Sequence, residues 1–119
     1  MNELPNIDQL SWAYQDVIGQ RRDPQPRTKP RAVTASANVN PLDDYIRVDT
    51  TSAAVTMTLE TAMGCDGRRH TFKKINAGAN NMTIACTGAE TIDGAATQAT
   101  NTQWAVYRVI SNGTNWELV

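Results

Sequence analysis

Two different spacings of apolar residues divide this 119-residue chain. Near the start, Leu10, Ala13, Tyr14, Val17 and Ile18 recur at intervals of three and four, which gathers them on one side of a helix. Asn6 followed by Gln9 forms a capping-box pair, so the spacing predicts a short helix from Ile7 to about Gln20. A helix of about four turns is marginal alone. Its Trp12, Tyr14 and Ile18 surface is therefore expected to pack on its own β domain, a neighbouring subunit or another protein. Residues 21–31 then mix charge with Pro24, Pro26 and Pro30; proline donates no N–H and biases its predecessor away from helix, which predicts an extended arm.

From Ala32 onward the period changes to two. Short runs rich in Val, Ile, Thr and aromatics recur every eight to twelve residues, which predicts a small antiparallel β-sandwich or barrel. The runs are Ala32 to Ser36, Tyr45 to Asp49, Ala54 to Leu59, Arg69 to Ile75, Met82 to Cys86, Glu90 to Ile92, Thr97 to Thr100, Gln103 to Ile110 and Asn115 to Val119. Val55, Met57 and Leu59 alternate with Thr56 and Thr58, so one face of that strand is expected to be buried. Trp104, Val106 and Arg108 alternate likewise with Ala105, Tyr107 and Val109. Asn40-Pro41, Asp66-Gly67, Asn80-Asn81, Asp93-Gly94 and Asn112-Gly113 fall between runs and suit turns. The last of these predicts a hairpin that seats Trp116 against the preceding strand. The organisation expected is a 1–31 anchoring region and a 32–119 β domain.

Composition sharpens this picture. Aromatics make up only 6% of the chain, so the β region is expected to complete its interior by sharing it with identical copies. Val55, Met57, Leu59, Trp104, Val106 and Trp116 are the residues expected in that shared core or interface. The formal charge is -1, unevenly spread. Arg21, Arg22, Arg27, Lys29 and Arg31 make the arm basic, opposed between positions 21 and 31 only by Asp23. Residues 32–119 hold more acidic than basic groups, so no basic face of the kind nucleic acid requires is expected there, and no nucleic-acid binding. No run is long and apolar enough to span a bilayer, and no membrane association is expected.

Candidate chemistry is sparse. Cys65 and Cys86 have neither a redox nor a zinc spacing and read as free structural thiols. Asp43 and Asp44 are adjacent, so in an extended chain they point apart and read as a turn rather than an acid–base pair. His70 lacks a nucleophile or a second histidine nearby and reads as a partly exposed strand residue, although copies meeting at an axis could present it to an ion. Glu90 and Asp93 read as turn residues rather than calcium ligands. Gly64-Cys65-Asp66-Gly67 lacks the ending of a phosphate loop. No catalytic residue, metal ligand or cofactor is expected.

Asp44-Tyr45-Ile46-Arg47-Val48-Asp49, the Thr56 to Leu59 strand, Gly67-Arg68-Arg69 leading into Phe72-Lys73-Lys74-Ile75, Glu90-Thr91-Ile92-Asp93-Gly94, and Ser111-Asn112-Gly113-Thr114-Asn115-Trp116 stand in a recognisable order. Over nearly the whole β region that order resembles a small β module of tailed-bacteriophage virion proteins, such as head fibres, decoration proteins and tail fibres. The resemblance implies an intertwined homotrimer and a non-enzymatic structural role on the virion exterior, after synthesis in the host cytoplasm. Leu10, Trp12, Tyr14, Ile18, Arg21, Arg22, Arg27, Lys29 and Arg31 would then anchor the trimer to the major capsid protein or another virion protein. The alternative is a tail-fibre or baseplate component whose Asn-rich loops, such as Asn76 to Asn81, bind a host receptor or surface glycan.

Overall fold

The computed structural model describes residues 29–119. The expected helix and the arm up to residue 28 lie outside them. The described residues form nine strands: β1 (Arg31–Val33), β2 (Ala37–Asn38), β3 (Tyr45–Val48), β4 (Val55–Thr58), β5 (Arg69–Lys74), β6 (Met82–Ala85), β7 (Thr97–Thr100), β8 (Val106–Ser111) and β9 (Trp116–Leu118). They build a five-stranded sheet in the order β1-β3-β5-β8-β9 and a four-stranded sheet in the order β2-β4-β6-β7. Nearly every run expected from the alternation is present. The first, expected from Ala32 to Ser36, ends at Val33, β2 at Ala37–Asn38 was not among the expected runs, and Glu90 to Ile92 contributes only bridges from Ile92 to Ala95 and Trp116.

The expectation of antiparallel sheets is corrected. From β1 to β6 the chain passes alternately from one sheet to the other, so each strand pairs in parallel with the one two places earlier: β1 with β3, β3 with β5, β2 with β4 and β4 with β6. Only the pairs β6–β7, β5–β8 and β8–β9 are antiparallel. Parallel pairing needs a connection that returns the chain to its starting end, and here the strand in the opposite sheet supplies that return. Strand spacing along a sequence is the same for both arrangements, which is why periodicity alone does not separate them.

Turn chemistry is realised at two sites. Asp93 and Gly94 both have positive φ, 51° and 87°, as a type I′ turn requires, and they close the Ile92–Ala95 bridge with backbone bonds of 2.7 and 3.0 Å. Asn112 turns β8 into β9: its N–H donates to Asn115 O at 3.0 Å, and its Oδ1 accepts from Thr114 and Asn115 N at 2.9 Å. Gly113, at φ 95°, completes this turn with its backbone close against Asp66.

The core lies between the two sheets. Ile46, Val48, Phe72, Val109 and Trp116 come from one sheet, and Val55, Met57, Met82 and Ile84 from the other; each is fully buried. The described residues enclose fourteen buried apolar residues, and a fully buried Val, Ile, Leu, Phe or Met contributes roughly 1.5–3 kcal/mol. Of the residues expected in a shared core, Val55, Met57, Leu59 and Trp116 lie in this interior. Its buried polar groups are hydrogen-bonded, as burial requires. Ser111 Oγ donates to Ala62 O at 2.7 Å, Lys74 Nζ donates to Asn76 O at 2.7 Å, and Thr50 is clamped by Asn76 and Asn80.

Candidate functional site

Strand alternation that buries one face of the five-stranded sheet necessarily turns the intervening residues outward. Tyr45 and Arg47 alternate with buried Ile46 and Val48. Arg69, Thr71 and Lys73 alternate with buried His70, Phe72 and Lys74. On β8, Val106, Arg108 and Ile110 occupy the outward positions. Register then places Arg47 beside Lys73 and Lys73 beside Val106, with Thr71 between Tyr45 and Arg108, and Arg69 beside Ile110. Because neighbouring strands are about 4.8 Å apart, Arg47, Lys73, Arg108 and Arg69 share one continuous patch. None of the four is in an ion pair among the described residues. Counting charge along a chain does not show which charges a sheet gathers.

Trp104 borders this patch. Its backbone has φ 69°, the left-handed region that costs a non-glycine residue about 1–2 kcal/mol, and its N–H donates to Lys74 O at 2.7 Å. That turn delays β8 to Val106 and leaves the indole 57% exposed. Lys73 Nζ lies 5.5 Å from the ring centroid, a cation–π contact. Strain held in a bulky exposed residue is a signal of function.

The opposite face of β5 holds a different constellation. His70 is fully buried rather than partly exposed, because Trp116 packs 5.6 Å from its ring and Phe72 6.4 Å. A carbonyl only accepts, so His70 Nδ1 donates to Asp43 O at 2.6 Å. Its Nε2 faces the Glu60 carboxylate at 3.0 and 3.1 Å. Arg68 closes the group with an ion pair to Glu60 at 3.1 Å. Both ring nitrogens are occupied within one chain, which removes the ion site considered for copies meeting at an axis. The arrangement ties the start of β5 to the segments after β4 and before β3.

The other candidates are similarly engaged. Asp43 pairs with Arg31 at 2.6 Å and accepts Asn40 N at 2.8 Å. Glu90 accepts from Thr61 and from Ala62 N, and Asp93 Oδ1 accepts Leu118 N at 3.2 Å. Cys65 and Cys86 are free, and burial, with Glu90 nearby, pushes the Cys86 thiol up to about 11. Thr51, through its side chain and backbone, holds the Asp49 carboxyl below its ordinary value. Among the described residues no group of three or more His, Cys, Asp or Glu is placed to hold a metal. A cavity of about 260 Å³ lies between Asn38, Val39, Thr58, Leu59, Glu60 and Thr87, away from the cationic face.

Of the residues expected to anchor or assemble the protein, Leu10, Trp12, Tyr14, Ile18, Arg21, Arg22 and Arg27 lie outside the described residues. Lys29 is exposed, whereas Arg31 is half-buried in its pair with Asp43. Val55, Met57, Leu59 and Trp116 belong to the chain's own core. Trp104 and Val106 remain exposed, at 57% and 42%. Sequence reasoning missed Tyr45, Arg47, Arg69, Lys73 and Arg108 as a group. Each stands at an outward position of a recognised strand, and only strand pairing unites them. No family model matches the chain, and no curated protein matches it.

Proposed function

We propose that this chain is a non-enzymatic structural and attachment protein of a tailed-bacteriophage virion, a homotrimer on the capsid exterior anchored through residues 1–31. The observation that carries this reading is how the two faces of β5 divide their chemistry. The groups capable of acid–base work, His70 with Glu60, are locked inside as structural ties, whereas the groups turned to solvent are Arg, Lys, Tyr and Trp, which recognise partners. The order of motifs from Asp44 to Trp116 supplies the virion context.

Support for assembly comes from the other sheet. Its outward positions are Thr56, Thr58, Thr83, Ala85, Thr97 and Ala99, an uncharged surface of small residues on which copies can approach without burying charge. The basic arm enters the domain at β1, an edge strand of the five-stranded sheet. Three arms acting together would turn modest contacts into durable attachment by effective concentration.

Deleting residues 1–28, which leaves Arg31 in β1 and its pair with Asp43 in place, tests the reading. The expected product is a folded trimer by sedimentation that no longer binds virions assembled without the protein. A truncated chain that still decorated them would defeat the anchoring role, and imaging of the intact particle would show capsid or tail.

The alternative, a glycan-binding tail component, gains one observation in its favour, the exposed Trp104. Against the loop considered for sugar contact, Asn76 and Asn80 spend their side chains on Thr50 and Ala77. Binding of the intact protein to a glycan array would favour this alternative.

A further inference from the structure

We propose that the outer face of the five-stranded sheet, centred on Arg47, Lys73 and Arg108 and bordered by Tyr45 and Trp104, docks the β domain onto an acidic protein surface of the particle. The inference rests on the virion reading and names the chemistry of the partner. Four cations with no ion pair among the described residues, set on neighbouring strands, repel one another unless anions approach from outside. Arginine is suited to that role because its planar fork accepts a carboxylate in two parallel hydrogen bonds.

Shape selects a protein over a small ligand. Small-molecule sites are concave, and the cavity of about 260 Å³ lies by Thr58 and Thr87 on the four-stranded sheet, whereas this face is a pleated surface across β3, β5 and β8. Its composition is that of an interface centre, where Arg, Tyr and Trp carry most of the binding energy. Trp104 is held outward by its own backbone, so its placement costs no ordering when a partner arrives.

Charge excludes two other occupants. A second copy meeting this face with its own would bring like charges together, a juxtaposition that costs several kcal/mol. Nucleic acid needs an extended positive field, but Asp49, outward after β3, and Glu117, opposite Ile110, border the patch.

The test is co-sedimentation of the full chain with virions assembled without it, across a salt series. The variants are R47E/R108E, R47A/R108A and W104A, with A79E/A89E in exposed loops as the charge control, and melting curves verify that each is folded. Wild type and control should bind alike. The neutralised pair should lose about tenfold in affinity, the reversed pair more than that, and W104A about tenfold, with binding of wild type weakening as salt rises. Reversed-charge protein that binds as wild type does would overturn the inference and leave the virion reading standing, whereas wild type that binds no particle would sink the virion reading and this inference with it. Equal loss in the control would make the effect one of net charge and overturn the inference. So would tighter binding of wild type to a single-stranded DNA 30-mer than to particles, or an altered oligomeric state of R47E/R108E in sedimentation.

Discussion

Strand β5 presents His70, Phe72 and Lys74 to the core and Arg69, Thr71 and Lys73 to solvent, so two chemically opposite surfaces are only one side chain apart. On the inner face even the charged residues are committed: His70 spans Asp43 and Glu60, and Lys74 donates to Asn76. On the outer face cations stand together without partners among the described residues, beside a tryptophan held in a strained conformation. Charge type therefore says little about role here. Burial and pairing decide whether a cation stabilises the fold or remains available for recognition.

Removing an inner residue should have the largest effect. Trp116→Ala deletes a fully buried ring and its bond from Nε1 to Glu60 O, 3.2 Å long, and is expected to cost on the order of 3–5 kcal/mol in chemical denaturation. A melting curve and oligomeric state like those of wild type would contradict the inner-face assignment. Next comes His70→Phe, which keeps an aromatic ring but leaves Asp43 O without its donor and Glu60 with Arg68 alone. A loss of about 1–3 kcal/mol is expected, and an unchanged denaturation midpoint would mean that the histidine ties nothing.

Gly113→Ala should rank third. A Cβ there would come within 2.5 Å of Asp66 Oδ1 at φ 95°, so about 1–2 kcal/mol should be lost. Pairing it with Asp66→Ala should recover the clash but not the φ penalty. On the outer face, Trp104→Gly should be more stable than Trp104→Ala by about 1 kcal/mol, since glycine alone is unstrained at that φ; equal midpoints would remove the strain that separates the two faces.

The smallest effect concerns Cys86. Its raised value means that the folded state holds the thiol proton more tightly than the unfolded chain. The stability contributed is thus complete below pH 9 and lost as pH rises towards about 11. Alkylation of Cys86 by iodoacetamide, followed by mass spectrometry, should remain slow at pH 8 and accelerate only on approach to that value. Fast labelling at pH 8 would show that burial does not protect it.

Much of the strand content was legible in the chain. The alternations in Tyr45-Ile46-Arg47-Val48 and Val55-Thr56-Met57-Thr58 name buried and outward residues directly, because successive side chains of an extended strand point to opposite sides. The β8–β9 hairpin follows from Asn112-Gly113, a local turn preference. Trp104 was less legible: its alternation with Val106 and Arg108 reads as one strand from Gln103, but the bond to Lys74 O and the left-handed turn end the regular pattern before β8 begins.

By itself, then, the sequence determined the local features: which stretches extend, where they turn, and which side of each strand is apolar, since these depend on neighbours one to four positions away. Tertiary structure decided that β1 to β6 alternate between two sheets in parallel pairs, that His70 is enclosed, and that Arg47, Lys73 and Arg108 meet on one face. The reason is physical. Those juxtapositions bring together residues dozens of positions apart, and the free energy that selects them comes from closing a shared core and satisfying its buried polar groups, which no single strand can do alone.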